Sequence, residues 1–345
     1  MATIKDVARL ANVSIATVSR VINNSPKTGS AAREAVKRAM EELNYSPNAN
    51  ARALVNKIND TVGCMVFDVA DPFFGSMVKA IETECRARHM HLLIGNGSHD
   101  IEQERETIEL LISKRCAAFI IHSKALSDAE LTHYARNNPG MVFINRYLPD
   151  MPSRCIWLDN HYGSLTVTQH LIELGHQNIA CVASCHNIED SHERIRGYQD
   201  ALSEAGLSPH ALPVERAEPN EEGGEQAIQN LLGRGQPFTA VVAYNDAMAT
   251  GIISVLIDNG LRIPEDVSVV GFDDVIFARF SRPKLTTMRY PIALMATKAT
   301  QMALELAAGH PDQVTAQIFR PVLVRRQSSA VAAIGITATG RQKGS

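Results

Sequence analysis

The sequence predicts an α/β chain with a small all-helical head and a body of two doubly wound halves. Three observations carry that expectation. The first 45 residues hold three short runs with apolar residues at i, i+3, i+4, i+7; from about residue 61 short apolar runs alternate with helical stretches; and 345 residues exceed what one hydrophobic core accommodates. A hydrophobic content of 45% with 21% charged residues is ordinary for globular chains, which argues against a disordered or membrane class. Lys5, Asp6 and Arg9 interrupt the N-terminus before any signal-peptide pattern develops, and no long uncharged apolar run follows. The expectation is a cytoplasmic protein with no membrane partner.

The head comes first. Thr3 with Asp6 three residues later makes an acidic capping box, and Ile4, Val7, Ala8 and Ala11 then share one helical face. Asn12 and Val13 break the pattern, and Ser14 caps a second helix whose Val18, Val21 and Ile22 pack back on the first. At about 100° per residue, Ile15, Ala16, Ser19, Arg20 and Asn23 fall on the opposite arc. That chemistry suits a DNA major groove: Arg20 forks onto guanine, Ile15 and Ala16 meet thymine methyls, and Ser14, Thr17, Ser19 and Asn23 reach phosphates, with Thr3 completing the set. Ser30 is expected to cap a third helix carrying Val36, Ala39, Met40 and Leu43, closing a small core over residues 1–46. An ordinary helical hairpin would show the same spacing, so charge supplies a second clue. Residues 1–60 hold nine Lys/Arg against five Asp/Glu, leaving 25 against 32 elsewhere from totals of 34 and 37. A basic head on an acidic body is the asymmetry expected when only the head meets phosphate.

Residues 47–58 contain helix formers without a wide apolar face and read as an interdomain linker unless a partner orders them. The body, 59–330, is expected to begin with strands near 62–69, 91–95, 117–123 and 141–145 and helices near 74–88, 101–114 and 127–137. A short strand near 155–158 then leads away from this half. Strands near 179–184, 240–245 and 267–272, with helices near 162–175, 191–206, 223–233 and 247–259, make the second half. A helix over 291–308 and a strand over 318–324, where Pro321 favours an edge or bulge, complete the body. The first half is then about 59–158 and 291–318, the second about 159–290 and 319–330, and 331–345 form a disordered tail.

Open parallel sheets bind ligands at the carboxyl ends of their strands. Asp71, Phe73 and Phe74 follow the first strand; Asn145, Arg146, Asp159, Asn245, Asp246, Asp273 and Asp274 follow others; Arg194 lies in the segment entering a helix. Amide, carboxylate and guanidinium groups bond vicinal hydroxyls in pairs while an aromatic ring covers a C–H face, so the set suits a sugar. Taken singly, Asx residues at strand ends more often cap helices or turns, and the phenylalanines are more often core.

Catalytic patterns are missing. No G-x-x-x-x-G-K-[ST], H-E-x-x-H or G-x-S-x-G occurs, and the twelve histidines show no ligand spacing tied to carboxylates or cysteines. His186 and His192, near Asp190, read as a polar surface loop, and Trp157 as packing. The cysteines at 64, 85, 116, 155, 181 and 185 form no C-x-x-C pair, with 181 and 185 the nearest to one, and are expected to be buried and reduced. No enzyme activity, metal or cofactor is expected.

The run TIKDVARLANVSIATVSRVINN, with ELNYSPNANARAL, VVGFDD and LTTMRYP, resembles the lactose-repressor family of bacterial transcription regulators. INNSPK, DPFFGSMVKA, HSKALSD and PGMVFINR are similar to its galactose-responsive members, and the likeness covers about residues 1 to 330. It implies a periplasmic-binding-protein-like body and a hinge helix at 47–58, with Leu54 wedged into the DNA minor groove between Asn48, Ala51 and Arg52. It implies effector contacts at Phe73, Phe74, Asn145, Asp159, Arg194, Asn245 and Asp273, with Asp71 beside them. The expected partners are operator DNA, galactose or a related sugar, and a second copy of the chain. A two-fold dimer would read a palindromic operator and be released by galactose. No leucine heptads follow residue 330, so a dimer is expected. A relative answering to another sugar or a purine, or using its ligand as corepressor, would have the same parts. An exported sugar-binding protein would lack the basic head, and a sugar-converting enzyme would need a placed general base. The loop Lys27, Thr28, Gly29, Ser30 departs from many relatives, which have Val-Ser before a Thr-Arg pair, and Gly29 is expected to loosen it.

Overall fold

The computed structural model describes residues 2–22, 25, 28–45 and 60–332, and the chain divides into two units, Met1–Asn59 and Asp60–Ser345. The head contains α1 (Ile4–Leu10), α2 (Ile15–Ile22) and α3 (Ser30–Glu42). Its capping box is formed: the Thr3 amide donates to the Asp6 carboxylate at 3.0 Å and the Asp6 amide donates to Thr3 Oγ1 at 3.4 Å. Ser14 opens α2 by accepting the Thr17 amide at 3.1 Å. The third helix starts differently from expectation. Gly29 is its cap residue, without a side-chain bond, and Ser30 is already helical. At φ −65° Gly29 uses none of the left-handed freedom that distinguishes glycine. Asn12 turns the chain between α1 and α2 at φ 51°, which Asn tolerates better than most residues. Val7, Ala8, Val18, Val21, Val36 and Ala39 form the buried core, flanked by Ile4, Val13, Met40, Leu43 and Tyr45.

The body holds two six-stranded sheets. The first contains β1 (Thr61–Val66), β2 (His91–Asn96), β3 (Ala118–Ile121), β4 (Met141–Ile144), β5 (Cys155–Leu158) and β11 (Gln317–Phe319), in the order β11-β5-β4-β3-β1-β2 and parallel throughout. The second contains β6 (Ile179–Ser184), β7 (Val214–Ala217), β8 (Ala240–Ala243), β9 (Ser268–Asp273), β10 (Thr286–Arg289) and β12 (Val322–Val324), in the order β12-β10-β9-β8-β6-β7, with β12 antiparallel at the edge. The inner strands are near-continuous apolar runs because helices cover both faces of a parallel sheet. The first sheet's helices are α4 (Pro72–Ala87), α5 (Ile101–Ser113), α6 (Asp128–Asn137) and α12 (Ile292–Ala307). The second sheet's are α7 (Asn160–Glu173), α8 (Glu189–Glu204), α9 (Glu221–Gly233), α10 (Asp246–Asp258) and the short α11 (Ile276–Phe280). Glycine is needed where α9 meets α10: a Cβ on Gly224 would lie 2.2 Å from the Met248 carbonyl, and one on Gly251 2.0 Å from that of Glu221.

β5, the last strand expected in the first half before the chain crosses over, pairs with β4 and β11. Three expectations are corrected. The single strand over 318–324 is two, β11 and β12, in different sheets. Pro321 lies between them, where its missing amide costs neither ladder a donor. β7, β10 and α11 were not anticipated. Order also runs past the expected start of the tail, since the Ala332 amide donates to the Leu174 carbonyl at 2.8 Å; residues 333–345 lie outside the described residues. The chain therefore crosses between the sheets three times, after β5, between β10 and α12, and between β11 and β12.

Candidate ligand cleft and DNA-reading face

The two sheets share one strand order, in which chain direction along the sheet reverses beside β1 and beside β6. Both switch points open at carboxyl strand ends, where such sheets bind ligands. Between them lies a cleft of about 540 Å³, including its open mouth, in the size range of small-molecule sites. Phe73, Phe74, Asn145, Arg194, Asn245 and Asp273, together with Asp71, all line it. Asp159 does not. Its carboxylate accepts the Tyr162 amide at 3.0 Å as the cap of α7, and it faces a separate neighbouring pocket with Trp157 and Glu193.

Arg194 is the centre of the polar wall. Its Nε donates to Asn160 Oδ1 at 2.9 Å, Nη1 donates to the Tyr244 carbonyl at 2.5 Å, and Nη2 stands 3.8 Å from Asp273 Oδ1. The guanidinium is also held against the faces of Phe272 and Tyr244, at 3.7 and 4.4 Å from their ring centroids. Asp273 sits at φ 112° where β9 ends, a left-handed conformation that Asp adopts only under constraint. Burial pushes its carboxyl well above the ordinary range, with Arg194 partly offsetting that. Burial also raises Asp71, although the Phe73 amide donates to it at 2.8 Å.

The two asparagines are more committed than the sequence implied. Asn145, at φ 59°, donates through Nδ2 to Asp190 at 2.9 Å and accepts the Tyr290 hydroxyl at 2.5 Å. Asn245 accepts the Met248 amide and donates to the Pro219 carbonyl, both at 2.8 Å. Asp190 and Lys124 are buried partners that sequence reasoning missed. Lys124 Nζ donates to Asp190 at 2.8 Å and to the Asn145 carbonyl, tying the first half to the second. Burial pushes the Asp190 carboxyl up, but the charges of Lys124 and Arg194 outweigh it and hold the group below its usual range. Glu104, itself buried, accepts the amides of Lys124, Ala125 and Leu126 and so shapes the loop that delivers the lysine. The lysine was visible in HSKALSD, but no periodicity announced its partner 66 residues away.

The opposite wall is aromatic. Phe73 and Phe74 meet edge to face at 5.0 Å, and Tyr290 lies 4.8 Å from Phe73. Phe67, His99 and His122 continue it, and His186, expected on a surface loop, lines the cleft and stacks on His99 at 5.2 Å. His192 is exposed. Burial and the neighbouring His186 lower His99 to about 4, and burial holds His122 well below its usual value, so both imidazoles are neutral at pH 7.

In the head, Ile15, Ala16 and Arg20 are exposed on one arc of α2 while Val18 and Val21 are buried on the other. Ser19 is half-buried. Ser14 Oγ and Thr17 Oγ1 lie 2.9 Å apart, and the Thr3 hydroxyl donates to Asp6 at 2.7 Å. Asn23, Asn48, Ala51, Arg52 and Leu54 lie outside the described residues.

A helix-turn-helix head on a body with a ligand cleft between two doubly wound halves defines a ligand-responsive DNA-binding regulator. Residues 3–48 match the bacterial regulatory proteins of the lacI family, and residues 168–329 match the periplasmic binding protein-like domain. The chain is 54% identical to the HTH-type transcriptional regulator GalR of Escherichia coli (strain K12) over 328 residues, covering 95% of this chain and 96% of that protein. It is 49% identical to the HTH-type transcriptional regulator GalS of Salmonella typhimurium (strain LT2) over 330 residues, 96% of this chain and 97% of the relative. Among solved structures, the lac repressor dimer bound to operator and the anti-inducer ONPF superposes with a TM-score of 0.84 at 27% identity, covering 95% of this chain and 99% of that one. The chain belongs to the lacI family of bacterial transcription regulators.

Proposed function

We propose that this chain represses genes of galactose uptake and metabolism, binding a palindromic operator as a homodimer and releasing it when galactose fills the cleft. The observation that carries this reading is the division of the cleft between a wall of charged and amide groups and a wall of aromatic rings. Asp273 and Arg194 would bracket vicinal hydroxyls and Asp71 would accept another, while Phe73 and Phe74 cover a C–H face. In the head, Ile15, Ala16 and Arg20 would meet base edges and Thr3, Ser14, Thr17 and Ser19 phosphates. Asn23, on the same arc of the head, would reach a phosphate, and Asn48, Ala51, Arg52 and Leu54 in the 47–58 link join the DNA-binding set through the family resemblance.

The similarity to GalR and GalS supports the choice of galactose, and the operator-bound lac repressor dimer supports the assembly. An apolar groove lined by Pro72, Ala80, Ile276 and Ala293, with Ile276 and Leu294 exposed, supplies a face suited to a second copy. The cytoplasm is where operator DNA is met. The body binds its sugar without converting it, as its regulator relatives imply. The test is a gel-shift titration on a galactose-operator palindrome at fixed salt, with and without galactose, because phosphate contacts make affinity salt-dependent. Tight binding released by galactose, which is recovered chemically unchanged, is expected. A complex indifferent to galactose would reject the effector, and absence of binding would reject the operator.

A further inference from the structure

At the rim of the cleft two loops of the second half come together. Cys185 and His186 follow β6, Glu218 follows β7, and the ligand atoms of these three residues all lie within 4.8 Å of one another. Cys185 Sγ donates to Glu218 Oε1 at 3.0 Å, and His186 Nε2 lies 3.2 Å from Glu218 Oε2. That nitrogen is buried and makes no hydrogen bond, because its approach to the carboxylate is close but poorly aligned. The imidazole is already oriented, stacked on His99 with their planes 7° apart. The other five cysteines are buried, so Cys185 is the exposed thiol. A thiol, an imidazole and a carboxylate are the donor set of a borderline-soft cation. Bonds of about 2.0–2.3 Å put tetrahedral donors about 3.5 Å apart, a distance these side chains reach by small rotations.

We propose that Cys185, His186 and Glu218 form a three-ligand site for a thiophilic divalent cation, Zn²⁺ foremost, at the rim of the cleft. On binding, the S–H···O bond to Glu218 is given up and the thiol proton passes to solvent. Sulfur, Nε2 and one carboxylate oxygen then each bond the ion, and a water takes the fourth position. The ion fixes the Cys185–His186 loop against the Glu218 loop, both of which border the cleft through His186 and Pro219. The site stands whether or not the cleft takes a sugar.

The experiment uses the full chain, kept reduced with a phosphine and stripped of metal, titrated with Co²⁺ and then Zn²⁺. A near-ultraviolet thiolate-to-cobalt charge-transfer band saturating at one ion per chain, and displaced by Zn²⁺, is expected. Cys185→Ser should lose the band and weaken Zn²⁺ binding by about tenfold or more in calorimetry. No band in the unaltered chain, or unchanged Zn²⁺ affinity in Cys185→Ser, overturns the proposal. Should Cys185→Ser melt abnormally, Glu218→Gln carries the same test: Co²⁺ affinity falls by about tenfold or more with the thiolate band retained at saturation, and an unchanged affinity overturns the site.

Discussion

The two walls of the cleft are built on opposite principles. The wall from the first half is a stack of rings, Phe67, Phe73 and Phe74 with neutral His99 and His122, whose positions follow from ordinary core packing. The wall from the second half concentrates Arg194, Asp190 and Asp273 in a buried space, where Lys124 from the first half and Arg194 hold the Asp190 carboxyl below its usual range while burial raises that of Asp273. An aromatic wall gains by excluding water and is forgiving of shape. A charged wall gains by exact pairing and fails when one member is removed. Under the proposed function, selectivity for hydroxyl geometry would reside in the second half and desolvation in the first.

That contrast is broken most directly at Arg194. Arg194→Ala strips Asp273 and Asp190 of a shared cation, and sugar affinity measured by calorimetry should fall by about 2–5 kcal/mol. Retained affinity would place the ligand elsewhere. Beneath the same wall, burial pushes Asp246 up to about 7, although Thr287 and the Val275 amide hydrogen-bond it. A carboxyl raised on folding binds its proton more tightly in the folded state. Its contribution is full below the unfolded value near 4, is lost as pH rises to about 7, and is flat above that. The difference in stability between the unaltered chain and Asp246→Asn should therefore shift in favour of the variant by at most about 4 kcal/mol from pH 4 to pH 8. A pH-independent difference in urea melts would show that the group is not raised.

Smaller effects sharpen the other side. Phe74→Leu keeps most of the volume but removes the ring, so sugar affinity should drop by about 0.5–1.5 kcal/mol with little change in Tm. A loss as large as that of Arg194→Ala would erase the distinction between the walls. Asp159→Ala should cost about 1 kcal/mol of stability through the lost cap of α7 and leave sugar affinity alone. A fall in sugar affinity there would return Asp159 to the site.

Much of the chain was legible because its signals are local. The Thr3–Asp6 box, the stripe of Val18 and Val21, and the alternation of apolar runs with helices depend on residues within a turn or two of each other. Phe73, Phe74, Asn145, Asn245 and Asp273 were expected at the cleft because strand ends can be located before the sheets are assembled, and Arg194, in a helix, through the family resemblance; all six line it. Asp159 was misplaced because a strand-end aspartate serves equally as a cap, and the sequence does not say which way it faces. Lys124 and Asp190 were missed because a buried ion pair across two halves has no spacing rule.

By itself, then, the sequence determined the two kinds of unit, the helical head with its exposed reading arc and the alternating body, since hydrophobic periodicity and capping act over a few residues. Only the tertiary structure decided which strand closes which sheet, splitting 318–324 around Pro321 so that Gln317–Phe319 joins the first sheet and Val322–Val324 the second. It alone joined Lys124 to Asp190, freed the cleft of Asp159, and brought Cys185, His186 and Glu218 together. The physical reason is the same in each case: pairing and burial energies depend on distance through space, and the chain's crossings between sheets set those distances.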